Sequence, residues 1–208
     1  MKLKKEIRND LFRWIIFAGC LACYGKTTAQ VLPEYSAFPK QSLGIQAGTQ
    51  GLGIQYTKSF LPAFSARIGL NTVPGITMQY NNRDLKLSRT SVYAIVDWQP
   101  LYGGTNWLAR KWYVSAGISH YFNNTLYREG IGKTPDYYIY MSRLRPYVGT
   151  GLGNIELFNN LYLRTDFGFF IPTSAATSTY SNKAEKVSTG LKGLLPGMNA
   201  GVTIYFKF

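Results

Sequence analysis

Downstream of residue 41, hydrophobic positions alternate with polar or glycine positions at a period of two. Leu43, Ile45 and Ala47 alternate with Gly44, Gln46 and Gly48, and Leu52, Ile54 and Tyr56 with Gly53, Gln55 and Thr57. The same two-faced pattern recurs over Phe64–Asn71, Ser91–Trp98, Trp112–Ser119, Tyr147–Gly153, Leu161–Phe169 and Asn199–Phe208, with Ser91–Trp98 the noisiest. Such alternation marks a strand whose two faces meet different surroundings. A single segment of this kind is a weak signal, but eight in succession predict an all-β fold: a transmembrane antiparallel up-and-down β-barrel of about eight strands over residues 42–208.

The connections fit closure. Links after the second, fourth and sixth strands are short (59–63, 99–110 and 154–160), and those after the third, fifth and seventh are longer and polar (72–86, 122–143 and 172–196). Short turns on one side and long loops on the other are expected of an outer-membrane barrel whose N-terminus starts in the periplasm. The first hairpin, around Thr49-Gln50-Gly51, reads either as a tight outer turn or as a glycine kink in one long strand. An even strand count favours the turn.

The last strand places Ala200, Val202, Ile204, Phe206 and Phe208 on one face and Asn199, Gly201, Thr203, Tyr205 and Lys207 on the other. Ending a soluble domain on such a strand leaves an aromatic edge for other chains to pair with. A closed barrel in a membrane satisfies every backbone group and gives the apolar face to lipid. The terminal strand is therefore expected to pair with the first, near Leu43–Thr49. Phe60, Phe64, Trp98, Trp107, Trp112, Phe206 and Phe208 cluster toward the periplasmic strand ends, and Tyr80, Tyr121, Phe122, Tyr138 and Phe169 toward the outer ones. Aromatic girdles of this kind, with a polar and glycine-rich second face, favour a membrane barrel over a lipocalin-like one, in which the two faces exchange roles.

Composition changes this picture little. Aromatic residues make up 15% and charged residues 16% of the chain. The apolar run Trp14–Tyr24 is far short of the roughly 20 residues of a membrane helix. Behind the basic start Met1-Lys-Leu-Lys-Lys and ahead of Thr27-Thr-Ala29, that run reads as the core of a secretory signal peptide (1–29), cut after Ala29. Residues 30–41 are then a short N-terminal periplasmic segment. Ala18-Gly19-Cys20 resembles a lipoprotein box, although Phe17 is bulkier than such boxes prefer. With Cys20 and Cys23 lost in the leader, the mature chain has neither disulfide nor thiol nucleophile. The leader carries six Lys/Arg and two Asp/Glu, so a net charge of +13 falls to +9 on its removal. These cations are scattered singly, which suits a lipid or lipopolysaccharide surface and gives no nucleic-acid footprint.

On these residues the chain resembles the small outer-membrane β-barrels of Gram-negative bacteria, the OmpA/OmpX-type and porin-like barrels, particularly versions seen in Bacteroidetes. The most specific motif is the C-terminal assembly signal, which Asn199, Gly201, Ile204 and Phe206 match, with the chain running on through Lys207 to Phe208. The resemblance implies insertion by the outer-membrane assembly machinery. It does not fix an activity, since the architecture hosts anchors, adhesins, lipid enzymes and narrow channels.

Arg67, Arg89, Asp97, Arg145, Arg164, Asp166 and Lys207 fall on the inward face. An eight-stranded barrel is just wide enough for side chains to fill it, so these are expected to pair as a polar plug, the alternative being a narrow path for ions or small solutes. A lipid A-modifying enzyme would need the single His120 with a serine, yet by parity His120 faces lipid and Ser119 faces inward. Gly130-Ile-Gly132-Lys133-Thr134 has Tyr127 where a P-loop needs its first glycine, and Gly149-Thr-Gly151-Leu-Gly153 lacks dinucleotide spacing. No catalytic, cofactor or metal residues are assigned. The remaining candidates are loop contacts: Arg128, Lys133, Tyr137, Tyr138 and Tyr140 in one loop, Lys183 and Lys186 in another. The expected role is structural, anchoring or partner-binding through these loops, alone or as an accessory subunit of a larger envelope complex.

Overall fold

The computed structural model describes residues 36–79, 84–130, 135–180 and 195–208. The expected leader with Cys20, the aromatic Tyr80 and the loop candidates Lys133, Lys183 and Lys186 lie outside the described residues. In chain order the elements are β1 (Gln41–Gly48), β2 (Gly51–Leu61), β3 (Phe64–Gln79), β4 (Asp84–Trp98), a short helix α1 (Trp107–Lys111) and β5 (Trp112–Arg128). They continue with β6 (Tyr137–Tyr140), β7 (Leu144–Phe158), β8 (Leu161–Phe170), β9 (Thr177–Ser178) and β10 (Met198–Lys207).

Eight of these strands form a closed antiparallel ring in the order β1-β2-β3-β4-β5-β7-β8-β10. Closure is made by β1 and β10, in register from Ser42 opposite Lys207 to Gly48 opposite Gly201. Backbone bonds from Thr49 N to Ala200 O (3.0 Å) and from Phe208 N to Gln41 O (3.2 Å) extend the seam at both ends. The terminal strand thus has no free edge. Gly48 stands opposite Gly51, so the first hairpin is a two-residue turn and not a kink in one strand. Gly51 adopts φ +97, and a Cβ there would sit 2.1 Å from the Thr72 carbonyl oxygen, so the turn requires glycine.

The faces separate as the alternation predicts. Leu43, Ile45, Leu52, Ile54, Ile68, Leu70, Val148, Val202, Ile204 and Phe206 are exposed on the outside. Gln46, Gln55, Thr57, Arg67, Asn71, Asp97, Ser115, Arg164, Asp166 and Thr203 are buried inside. A soluble barrel has the reverse arrangement. Here the outer surface belongs in hydrocarbon. At the end of the barrel where β1 begins and β10 finishes, Phe60, Trp98, Trp107, Phe206 and Phe208 are exposed. Phe64 stacks on Trp98 with ring centres 6.2 Å apart, and the aromatic girdle expected there is present.

Three features depart from the sequence reading. First, the expected loops 72–86 and 122–143 are largely strand. β3, β4 and β5 run 15–17 residues, beyond the roughly 9–11 a tilted membrane strand needs, and β6 and β9 add to the β5 edge. Tyr137, Ile139 and Met141 pack with Leu87 and Leu126 there, so this projection has an apolar core of its own. Second, the register shifts between Thr90 and Ser91 opposite Tyr121–Asn123, so a bulge lets Tyr121 and Asn124 both face inward. Tyr121, expected in the outer girdle, is fully buried in the lumen. Third, the described residues before β1 are tucked into the end of the barrel where β1 begins: Ala37 and Phe38 are buried, and Phe38 packs on Tyr113 with centroids 5.7 Å apart. Gln99 accepts from Ala37 N (2.7 Å) and donates to Ala109 O (2.6 Å), tying this segment to α1, whose first turn is capped by Asn106.

Ile45 is 68% exposed at the centre of β1. In water such a position tolerates substitution within about 0.5 kcal/mol. Facing lipid, Ile45→Arg is expected to cost about 2–4 kcal/mol, read as a lowered denaturant midpoint of the barrel in lipid vesicles.

Candidate functional site

The inward face of the barrel places charges from opposite walls within bonding distance. β3 and β8 lie diametrically across the ring, and Arg67 Nη2 of β3 reaches Asp166 Oδ1 of β8 at 2.7 Å. Arg164 Nη2 of β8 reaches Asp97 Oδ2 of β4 at 2.6 Å. Arg67 Nε lies 3.3 Å from the same Asp97 oxygen, and Arg164 Nε lies 3.4 Å from Asp166 Oδ2. These two longer approaches are purely ionic, because neither Arg67 Nε nor Asp166 Oδ2 makes a hydrogen bond. The result is an alternating square of two cations and two anions across the waist, all four side chains at most 3% exposed.

Neutral groups complete the square. Ser115 donates to Asp97 Oδ1 at 2.6 Å. Arg164 Nε donates to Tyr113 Oη at 2.8 Å, and that hydroxyl donates to Asp166 Oδ1 at 2.9 Å. The Arg164 guanidinium also stacks over the Tyr113 ring, 4.3 Å from its centroid. One layer further on, Tyr93 Oη lies 2.7 Å from Gln46 Oε1 and 2.9 Å from Gln55 Oε1, its proton shared between strands β1 and β2. Isolated charges in so narrow a space are intolerable, whereas paired and hydrogen-bonded ones are accommodated.

Four of the expected inward charges therefore pair with one another. Arg89 and Arg145 do not. They sit nearer the loop end, flanking Tyr121 with guanidinium carbons 5.5 and 5.6 Å from its ring centre. Their partners are neutral: Arg89 donates to Asn124 Oδ1 (3.0 Å) and Gln50 Oε1 (3.1 Å), and Arg145 to Ser142 Oγ (3.0 Å). Lys207 forms no direct ion pair among the described residues and rests on the Tyr162 ring, 3.3 Å from its centroid.

The loop candidates divide. Tyr138 and Tyr140 alternate outward on β6, but Tyr137 is buried in the projection's core and offers no exposed contact. Arg128 ends β5 opposite Tyr137. Sequence parity missed Asp136, which accepts from Tyr127 Oη (2.6 Å) and Gly130 N (2.9 Å) and pins the start of this loop. The Tyr127 and Gly130 donors hold its carboxyl below the usual carboxylate range, a contribution present at neutral pH and lost on acidification. His120 lies outside against Phe122, 5.3 Å between ring centres, while Ser119 points inward and donates to Val92 O. The strand thus holds the two apart.

Solved structures with this architecture exist. The crystal structure of Acinetobacter baumannii CarO matches at a TM-score of 0.57 and 18% identity, over 82% of this chain and 98% of that one. Acinetobacter baumannii CarO2 matches at 0.58 and 16%, over 81% and 98%. No protein-family model and no curated protein matches the sequence. At these identities the likeness is one of fold: the chain is an eight-stranded antiparallel barrel like theirs.

Breaking the square from one side leaves a buried charge unpaired. Asp97→Ala is expected to destabilise the barrel by about 3–5 kcal/mol. Replacing Arg67, Asp97, Arg164 and Asp166 together by Met and Leu is expected to cost far less. Guanidinium unfolding midpoints of the two variants, side by side, check the difference.

Proposed function

We propose that this protein is an integral outer-membrane barrel, closed at its waist, that serves the cell envelope by binding or anchoring at its loop end. The observation that carries the closed reading is the Arg67–Asp166 ion pair between diametrically opposed strands, with Arg164–Asp97 crossing beside it. Ions passing this level would have to displace four mutually neutralising groups, each already bonded. The apolar exterior and the basic leader support membrane insertion after export. The assembly-signal residues support delivery by the outer-membrane machinery: Ile204 and Phe206 face out, while Asn199 faces inward and donates to Tyr147 Oη at 3.2 Å. Outer-membrane lipids and lipopolysaccharide are the natural surroundings, and Tyr138, Tyr140 and Arg128 the natural contacts for a partner.

Planar-bilayer recording tests the closed reading. The protein as it stands is expected to give no steady conductance, and Arg67→Ala combined with Asp166→Ala is expected to create one. Steady single-channel current through the unaltered protein, abolished by Arg164→Ala, would establish a narrow solute channel in its place.

A further inference from the structure

Beyond the waist the lumen changes character. A cavity of 380 Å³ lies at the loop end, walled by Leu85, Leu87, Leu126, Met141, Pro196 and Met198, with Arg89 and Thr49 as its polar members. Inward leucines here contrast with the glutamines, serines and paired charges below. Arg145 addresses the same wall: its Nη1 lies 3.0 Å from where a Cβ on Gly197 would stand, between Pro196 and Met198.

Both arginines are 2% exposed, and each keeps one nitrogen, Arg89 Nη2 and Arg145 Nη1, without a hydrogen-bond partner among the described residues. No carboxylate pairs with either among the described residues. Both guanidiniums lie against the Tyr121 ring, 5.5 and 5.6 Å from its centroid, and its hydroxyl is committed to Gln50 Oε1 at 2.9 Å. Two buried like charges with spare donors, beside an apolar cavity, form a site that an anion would stabilise.

We propose that this chamber binds an amphipathic organic anion, its carboxylate or phosphate held by Arg89 and Arg145 and its hydrocarbon body filling the leucine- and methionine-lined cavity. The proposal rests on the reading of the barrel as a loop-end binding module and supplies that module's ligand class. Neutral apolar molecules lack the head group, and inorganic anions lack the body.

Calorimetric titration of the full barrel in lipid nanodiscs, with empty nanodiscs as the reference, tests it using octanoate, octyl phosphate, octanol and inorganic phosphate. Octanoate or octyl phosphate is expected to bind saturably, one per barrel, and at least tenfold more tightly than octanol or inorganic phosphate. The tighter of the two names the source of the head group, a free acid or a lipid phosphate. Arg145→Gln is expected to weaken binding at least tenfold. Leu87→Trp, which fills the cavity and leaves both arginines in place, is expected to abolish it, with heat-modifiable gel migration confirming a folded barrel in each case. Absence of saturable binding, octanol binding as well as octanoate, inorganic phosphate binding as well as octyl phosphate, or octanoate binding unaffected by Leu87→Trp would each overturn the proposal. Conductance reports on the waist and not on this chamber, so failure here is distinct from failure of the closed reading.

Discussion

Charges at the waist of an eight-stranded barrel have no room to keep their water, and here each finds its counter-charge on another strand. This constraint governs the centre of the molecule. Arg67 and Asp166 are nearly a hundred residues apart in sequence and on opposed strands, yet 2.7 Å apart in space. Their pairing spans the lumen and braces the ring across its diameter. The neighbouring packing follows from it. Tyr113 links Arg164 to Asp166 by its hydroxyl and stacks under the guanidinium. Its ring lies so close to β7 that a Cβ on Gly151 would stand 2.3 Å from the tyrosine oxygen and 2.0 Å from Thr165 O. Glycine on the second face is thus the counterpart of a large polar ring beside it, and explains why the inward pattern mixes tyrosine with glycine.

The outer face obeys the opposite rule through the same backbone. Because the side-chain period is two, moving a strand by one residue would present the arginines to lipid and the leucines to the plug. Register is therefore fixed from both sides at once. β10 shows this most clearly, since Ile204 and Phe206 face out while Thr203 and Tyr205 are buried within, and Gly201 faces Gly48 across the seam. The strand that ends the described chain is held by the same two-sided demand as its neighbours, with Asn154 N donating to the Tyr205 hydroxyl at 3.0 Å.

Much of this was legible in the residues alone. Parity placed the ring's faces, the seam near Leu43–Thr49 and the four charges of the waist, because in a sheet a position's parity is its address. What parity missed came from breaks in it. The bulge at Thr90/Ser91 leaves no local sequence mark, and it turns Asn124 to the side that Tyr121 already shares with Ser119. The projection built from β6 and β9 escaped notice because its strands are short and its surroundings polar. Pairing was also over-extended: alternation shows which charges point inward but not how far along the axis each lies. Arg89 and Arg145 sit too far toward the loop end to share the two carboxylates at the waist.

That axial difference carries the functional argument. At the waist two arginines meet two aspartates and the charge cancels. At the loop end, among the described residues, two arginines meet only glutamine, asparagine, serine and the face of Tyr121, with no carboxylate to match their charge. A barrel selected only to be filled would gain nothing from burying cations that no described carboxylate matches, since neutral side chains would fill the space at less cost. Above them the inward positions turn apolar, with Leu85, Leu87 and Leu126 facing the interior of a projection that already extends past the membrane-spanning length. Low-dielectric walls around a net positive charge concentrate its field along the lumen axis and draw anions toward it. Polarity inverted relative to the waist, with two cations unmatched among the described residues, is the arrangement the proposed anion chamber requires above the paired charges.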